Sequence, residues 1–329
     1  MPQPSYPYAA GRVRALEGRL LTAERLSRML DAGSAQDAYR LLRDAGYGVS
    51  AGTEDPRLYE ELIIAELAHT ERLIDEITPD TGLTDVFLMR SDYHNAKAFL
   101  KMRHVSGDEQ AALTPLGKVD NKELEEAVFE QEYTGLPEHL ARAITAVDAA
   151  VQLRPDPRTV DTVMDRAWYE WALSSVRSSR FLTGYLTAFA DLNNLSSLIR
   201  ARINGLTPGF FRETLLPGGT IPQTTLSDIY AASGDLPAHR IDTRAYGPRC
   251  AQALQSALAG RAWEFEKFRD NYLTQYVLSR RWEHFSIEPV VAFLLAKEAE
   301  ARAVRLIMVG KLNGVPGDAL GERLRELYA

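Results

Sequence analysis

Apolar residues recur along this chain at intervals of three and four, the period of a helix with one buried face. Between Asp55 and Thr78 they fall at Leu58, Leu62, Ile63, Leu67, Ile74 and Ile77, which predicts one long amphipathic helix. Pro56 stands just inside its start and Pro79 just past its end, positions where a residue without an N–H donor is tolerated or stops a helix. Stripes of the same kind run from about Val160 to Phe189 and from about Trp263 to Val309, with Pro157 and Pro289 expected as breaks or kinks. Strict alternation, the mark of a half-buried strand, is confined to short stretches. The pattern predicts an all-α protein with turns at Gly46, Gly48, Pro208-Gly209, Pro217-Gly218-Gly219 and Gly314. Trp168, Trp171, Trp263 and Trp282 lie within the stripes and are expected in the core.

Polar residues interrupt three of these helices at matching offsets. The first copy reads Asp92-Tyr93-His94-Asn95-Ala96-Lys97-Ala98-Phe99-Leu100-Lys101-Met102-Arg103, and the second Asp191-Leu192-Asn193-Asn194-Leu195-Ser196-Ser197-Leu198-Ile199-Arg200-Ala201-Arg202. A third copy, Glu300 to Lys311, keeps the acid, the apolar residue Ile307 and the terminal base, but has Ala303 where the others have Asn. Each base runs into a turn: His104-Val105-Ser106-Gly107, Ile203-Asn204-Gly205 and Leu312-Asn313-Gly314. The acids are 99 and 109 residues apart, too far for a solenoid repeat and long enough for small domains. Leu26 with Met29, Leu124 with Val128 and Leu226 with Ile229 repeat in the same phase. The expected organisation is three helical units at about 1–114, 115–217 and 218–329. Three such units can stack in a row or close around a pseudo-threefold axis, and closure leaves a central funnel.

Composition narrows what these helices can be for. The 329 residues are 45% hydrophobic and 25% charged, as in a soluble globular chain. A net charge of −7 argues against general nucleic-acid binding. Cys250 is the one cysteine, so no internal disulfide can form. The longest apolar runs, Phe181 to Ala190 and Pro289 to Ala296, are core-helix lengths and fall short of the roughly eighteen residues of a membrane span. The start Met1-Pro2-Gln3-Pro4-Ser5 lacks a secretory pattern, and a cytoplasmic location is expected.

Catalytic signatures are missing. Gly117-Lys118 and Gly310-Lys311 lack the rest of a phosphate loop, and G-x-S-x-G, H-E-x-x-H and C-x-x-C do not occur. Asp191-Leu192-Asn193-Asn194 is the nearest approach to a magnesium-binding acidic helix, without its paired acids. No catalytic, cofactor-binding or metal-ligating residue is therefore expected. Asp and Asn are poor mid-helix residues unless they bond something. Asp92, Asn95, Asp191, Asn194 and Glu300 read chiefly as structural partners in caps or buried hydrogen bonds, with a ligand site as the alternative. Arg103, Arg202 and Lys311 either complement helix dipoles at their C-terminal ends or form a basic rim for an acidic partner or lipid headgroups.

The three copies, together with Tyr8-Ala9-Ala10-Gly11-Arg12-Val13-Arg14-Ala15-Leu16-Glu17 and Lys297-Glu298-Ala299-Glu300-Ala301-Arg302-Ala303-Val304-Arg305-Leu306-Ile307, resemble the C subunit of vacuolar/archaeal-type rotary ATPases, related to the eukaryotic vacuolar ATPase d subunit. The resemblance covers nearly the whole chain. It departs at Ala303, where the family often has Asn. It implies a funnel of three helical domains with no catalysis of its own. It also implies an adaptor between rotor shaft subunits of the D and F type and the membrane proteolipid ring of a proton- or sodium-translocating ATPase. Such an adaptor would be peripheral on the cytoplasmic membrane face, without a span. A helical scaffold that binds a protein partner in its central cavity is the alternative.

Overall fold

The structure, a computed structural model, describes residues 5–47, 54–104, 113–232 and 240–328. Gly48 and the turn residues Val105, Ser106 and Gly107 lie outside them. Every regular element among the described residues is helical, so the chain is all-α. In chain order the α-helices are α1 Tyr6–Glu17, α2 Ala23–Asp31, α3 Ala35–Asp44, α4 Tyr59–Ile77, α5 Thr81–Leu88, α6 Arg90–His104, α7 Asn121–Glu130 and α8 Glu138–Leu153. They continue with α9 Pro157–Ser175, α10 Arg180–Asn204, α11 Pro208–Glu213, α12 Gln223–Ala231, α13 Pro248–Leu258, α14 Ala262–Leu278, α15 Glu288–Leu312 and α16 Gly317–Arg323.

Helix ends follow local chemistry, and this is where the apolar stripes mislead. The stripe from Val160 to Phe189 is two helices, because Ser179 takes an extended backbone and its side chain accepts the Leu182 N–H at 3.2 Å, starting α10 afresh. Pro157 and Pro289 open α9 and α15 instead of kinking longer helices; in a first turn the missing N–H has no partner to lose. Pro208-Gly209 likewise begins α11, capped by Thr207, where a turn was expected. Gly46, Gly218 and Gly314 do lie in turns, all with positive φ.

The chain divides into two compact units, residues 1–81 with 243–329 and residues 82–242. In the first, α15 packs on α4, α1 and α3, and α13 pairs with α14. The run Pro289 to Ala296 is buried throughout, as expected for a helix apolar on all faces. In the second unit α8 and α9 form a hairpin and α6 packs on α7 and α9. There Trp168 is buried and its indole N–H donates to the Val86 carbonyl at 2.9 Å, while the Tyr169 hydroxyl donates to the Leu186 carbonyl at 3.0 Å. Fully buried aromatics such as Phe99 and Phe211 contribute about 2–3 kcal/mol each by leaving water. Trp171 and Trp263 are half-buried. Trp282 departs from the core expectation: it is 64% exposed in the loop between α14 and α15, with the guanidinium carbons of Arg14 and Arg281 each 4.7 Å from its ring centre.

Candidate functional site

The polar residues of the repeat lie on α6, α10 and α15, and all five are buried: Asp92, Asn95, Asp191, Asn194 and Glu300. Each acid turns toward the loop that precedes a short helix. The Asp92 carboxylate accepts the N–H groups of Lys118 at 3.0 Å and Val119 at 2.9 Å, just before α7. The Asp191 carboxylate accepts those of Thr220 at 2.8 Å and Ile221 at 2.9 Å, just before α12, and the Thr220 hydroxyl at 2.6 Å. Glu300 accepts the Leu21 N–H, just before α2. Loop N–H groups shielded from water need acceptors, and a carboxylate supplies several in a small volume.

Two glycines make room for the acids. A Cβ on Gly117 would stand 2.5 Å from Asp92 Oδ1, and Gly117 also has φ +111. A Cβ on Gly219 would overlap Asp191 Oδ1. The asparagines act three residues along each helix, where a carboxamide presents a donor and an acceptor side by side. Asn95 Nδ2 donates to the Thr114 carbonyl at 2.9 Å while its Oδ1 accepts the Thr114 N–H at 3.0 Å. Asn194 treats Leu216 in the same way, at 2.8 and 2.7 Å. Asn121 joins the first copy, accepting from Asn95 Nδ2 at 2.7 Å and donating to the Thr114 carbonyl at 2.8 Å.

The third copy differs for a local reason. Thr114 and Leu216 lie five residues before Val119 and Ile221, and the residue five before Leu21 is Leu16. Leu16 is already inside α1, and its carbonyl accepts the Arg19 N–H at 2.9 Å. An Asn at position 303 would find no free backbone pair, and the buried Ala303 fills the space. Glu300 instead accepts from the Tyr47 hydroxyl at 2.7 Å and the Lys297 ammonium at 3.1 Å, and Lys297 also pairs with Glu66 at 2.9 Å.

The basic ends complete the pattern at the far end of each helix. Eleven residues separate acid from base, about 16 Å of helix, which matches the length of the short helix alongside. Arg103 is largely buried, paired with Asp148, donating to the Val128 carbonyl of α7 and to the Tyr133 hydroxyl at 3.0 Å. Lys311 donates to the Ala32 carbonyl, at the end of α2, at 2.6 Å. Cations at helix C-terminal carbonyls are stabilising. Arg202 is exposed in the last turn of α10, and there Tyr230 of α12 donates to the Ala201 and Leu206 carbonyls at 3.1 and 2.6 Å.

Burial raises the Asp92 carboxyl above its ordinary range, opposed by the Lys118 and Val119 N–H groups. Burial likewise raises Glu300, opposed first by the Lys297 ammonium, then by Tyr47 and Leu21. Tyr47 is itself raised, first by burial and then by Glu300. Among the described residues no group of three His, Cys, Asp or Glu side chains could hold a metal ion, and no helix is long and apolar enough to cross a membrane. Sequence patterning did not single out Tyr47, nor did it assign these roles to Gly117, Gly219 and Lys297. The glycines' part was detectable, since each sits two residues before the β-branched Val119 or Ile221 and ahead of a short helix in both copies.

An all-helical chain whose long helices hold the loops of short neighbours, with buried acids bound to backbone and not aimed into an open cleft, has the build of a structural component of a larger assembly. A family model described as ATP synthase (C/AC39) subunit matches residues 9–323, and the chain belongs to that family, the C subunits of V/A-type rotary ATPases. It is 22% identical to the C subunit of the V-type sodium ATPase of Enterococcus hirae, over 96% of this chain and 97% of that one. It is 25% identical to the C subunit of the A-type ATP synthase of Pyrococcus abyssi, covering 98% and 90%, and 26% identical to that of Methanothermobacter thermautotrophicus, covering 97% and 87%.

Replacing Asp191 by Ala strands the Thr220 and Ile221 N–H groups and is expected to cost about 3 kcal/mol, read as a lower urea midpoint. Thr183→Ala, at a half-buried hydroxyl on the same helix, serves as the milder control. An equal effect of the two would refute the role given to Asp191. The raised carboxyl of Glu300 gives a second prediction. A carboxyl that binds its proton more tightly folded than unfolded contributes stability at low pH, and this falls as pH climbs from the ordinary carboxylate range through the raised folded value. The gap in melting temperature between the wild type and Glu300→Gln should therefore vary with pH across that interval and level off above it. A constant gap would count against the assignment.

Proposed function

We propose that this chain is the non-catalytic coupling component of a V/A-type rotary ATPase, set between rotor shaft subunits of the D and F type and the membrane proteolipid ring. On this reading it is peripheral on the cytoplasmic face of the membrane and transmits torque between ATP chemistry and ion movement. Membership of the C-subunit family over residues 9–323 carries the proposal. The fold supports it through one topological feature: Asp92 holds the loop before α7, Asp191 the loop before α12, and Glu300 the loop before α2, near the beginning of the chain. Three equivalent units, at about 1–114, 115–217 and 218–329, would thus be linked in cyclic order, each long helix gripping the next unit's first loop. A cyclic chain of grips suits a stiff hub around an axis.

The decisive experiment reconstitutes the complex without this chain. The expected result is a catalytic sector that detaches from the ring, or ATP hydrolysis that no longer drives ion transport. A complex that stays attached and coupled would refute the role. The basic ends are expected to divide by burial. Arg103→Gln should lower the thermal midpoint while leaving the salt dependence of attachment unchanged, since Arg103 is tied to Asp148. Arg202→Gln should flatten that salt dependence with little loss of stability, since Arg202 is exposed. Sedimentation of ring-bound chain over a salt series separates the two.

A further inference from the structure

A cavity of about 660 Å³ opens in the first compact unit, walled by the end of α1, by α2, the end of α3, α4 and α15. Its lining is strongly cationic in a chain whose net charge is −7: Arg19, Arg25, Arg72 and Lys297 face it, against one lining carboxylate, Glu66. The arginines are exposed at the mouth and make no side-chain ion pair with a described residue. Lys297 lies deeper, with a side chain only 4% exposed, held between Glu66 at 2.9 Å and Glu300 at 3.1 Å, and the buried Tyr47 stands beside it. Three guanidiniums without an ion-pair partner among the described residues line one concavity and favour entry of an anion, and the planar fork of arginine suits phosphate oxygens. Leu16, Leu73 and Phe293 line the rest of the wall. The volume far exceeds a single phosphate and falls in the range of small-molecule sites, roughly 300–1,000 Å³.

We infer that this cavity binds a multiply charged phosphate compound, its phosphates on Arg19, Arg25 and Arg72 and its organic part against Leu16, Leu73 and Phe293. An anion reaching Lys297 would compete with Glu66 for its ammonium. The inference concerns a ligand and does not depend on the coupling role.

The test is calorimetric titration of the full-length chain with inorganic triphosphate at constant ionic strength, beside the Arg25→Ala/Arg72→Ala double variant. Both arginines are exposed, so the variant should fold, and its melting curve without ligand checks this. The expected result is saturable one-to-one binding to the wild type, weakened about tenfold or more in the variant. Vesicles of phosphatidylcholine with phosphatidic acid distinguish a free phosphate from a lipid headgroup. Flotation that triphosphate competes away, and that the double variant lacks, supports the same site with a headgroup as the source. Absence of saturable binding to either probe, equal binding by the variant, or vesicle binding that triphosphate does not displace would overturn the inference.

Discussion

The arrangement depends on a buried carboxylate that accepts backbone N–H groups of a loop. Asp92 and Asp191 are completely buried, and each holds its loop through backbone N–H groups, joined at Asp191 by the Thr220 hydroxyl. Burying a charge is costly unless hydrogen bonds replace the lost water, and here the replacement comes from the chain itself. This ties a residue of a long helix to a loop more than twenty residues on, and it fixes where the following short helix begins. Once that loop is fixed, the remainder follows from helix geometry. The short helix runs alongside the long one, buries Leu124 with Val128 or Leu226 with Ile229, and in the first copy ends where the base can reach its carbonyls.

The asparagines extend the same logic from charge to shape. A carboxamide is the side chain that can offer donor and acceptor together to one residue's N–H and C=O, so the loop is held at a second point five residues before the first. The third copy shows that the demand comes from the loop and not from the helix. Where α1 has already satisfied Leu16, the amide is absent and Ala303 packs in its place. What reads in sequence as decay of a motif is a different backbone requirement at one of three related positions.

Much of this was legible in the sequence. The helical class follows from apolar spacing, and the three acids were visible because Asp, Asp and Glu recur at one offset among apolar neighbours. Their direction was not, since a helix repeat reports which residues share a face and not which distant loop meets them. The helix break at Ser179 was hidden, whereas the one at Pro289 was foreseen as a break or kink. Apolar period continues across Ser179, and the decision there rests on a single cap. Arg103 and Lys311 read either as complements of a helix dipole or as a rim, and the run that carries them does not say which carbonyls of a neighbouring helix they meet. Trp282 looked like core because the stripe was continuous, and only the loop between α14 and α15 turns it outward.

The third grip sits among several ionisable side chains. The Thr220 and Ile221 N–H groups and the Thr220 hydroxyl that donate to Asp191 do not change charge. Glu300 shares its site with Lys297, Tyr47 and, through Lys297, Glu66, and Lys297 borders an open, cationic cavity. Any influence that alters the charge balance around Lys297 acts on the acid that holds Leu21, and so on the loop before α2. Departure of Glu66 from Lys297 would leave Glu300 as its nearest counter-charge and strengthen that pair, favouring the ionised carboxylate, the stronger acceptor for the Leu21 N–H. An anion seated on Lys297 would draw the ammonium the other way. The copy with Ala303 in place of Asn therefore holds its loop through an acid set among titratable side chains, whereas the Thr220 and Ile221 donors on Asp191 do not titrate.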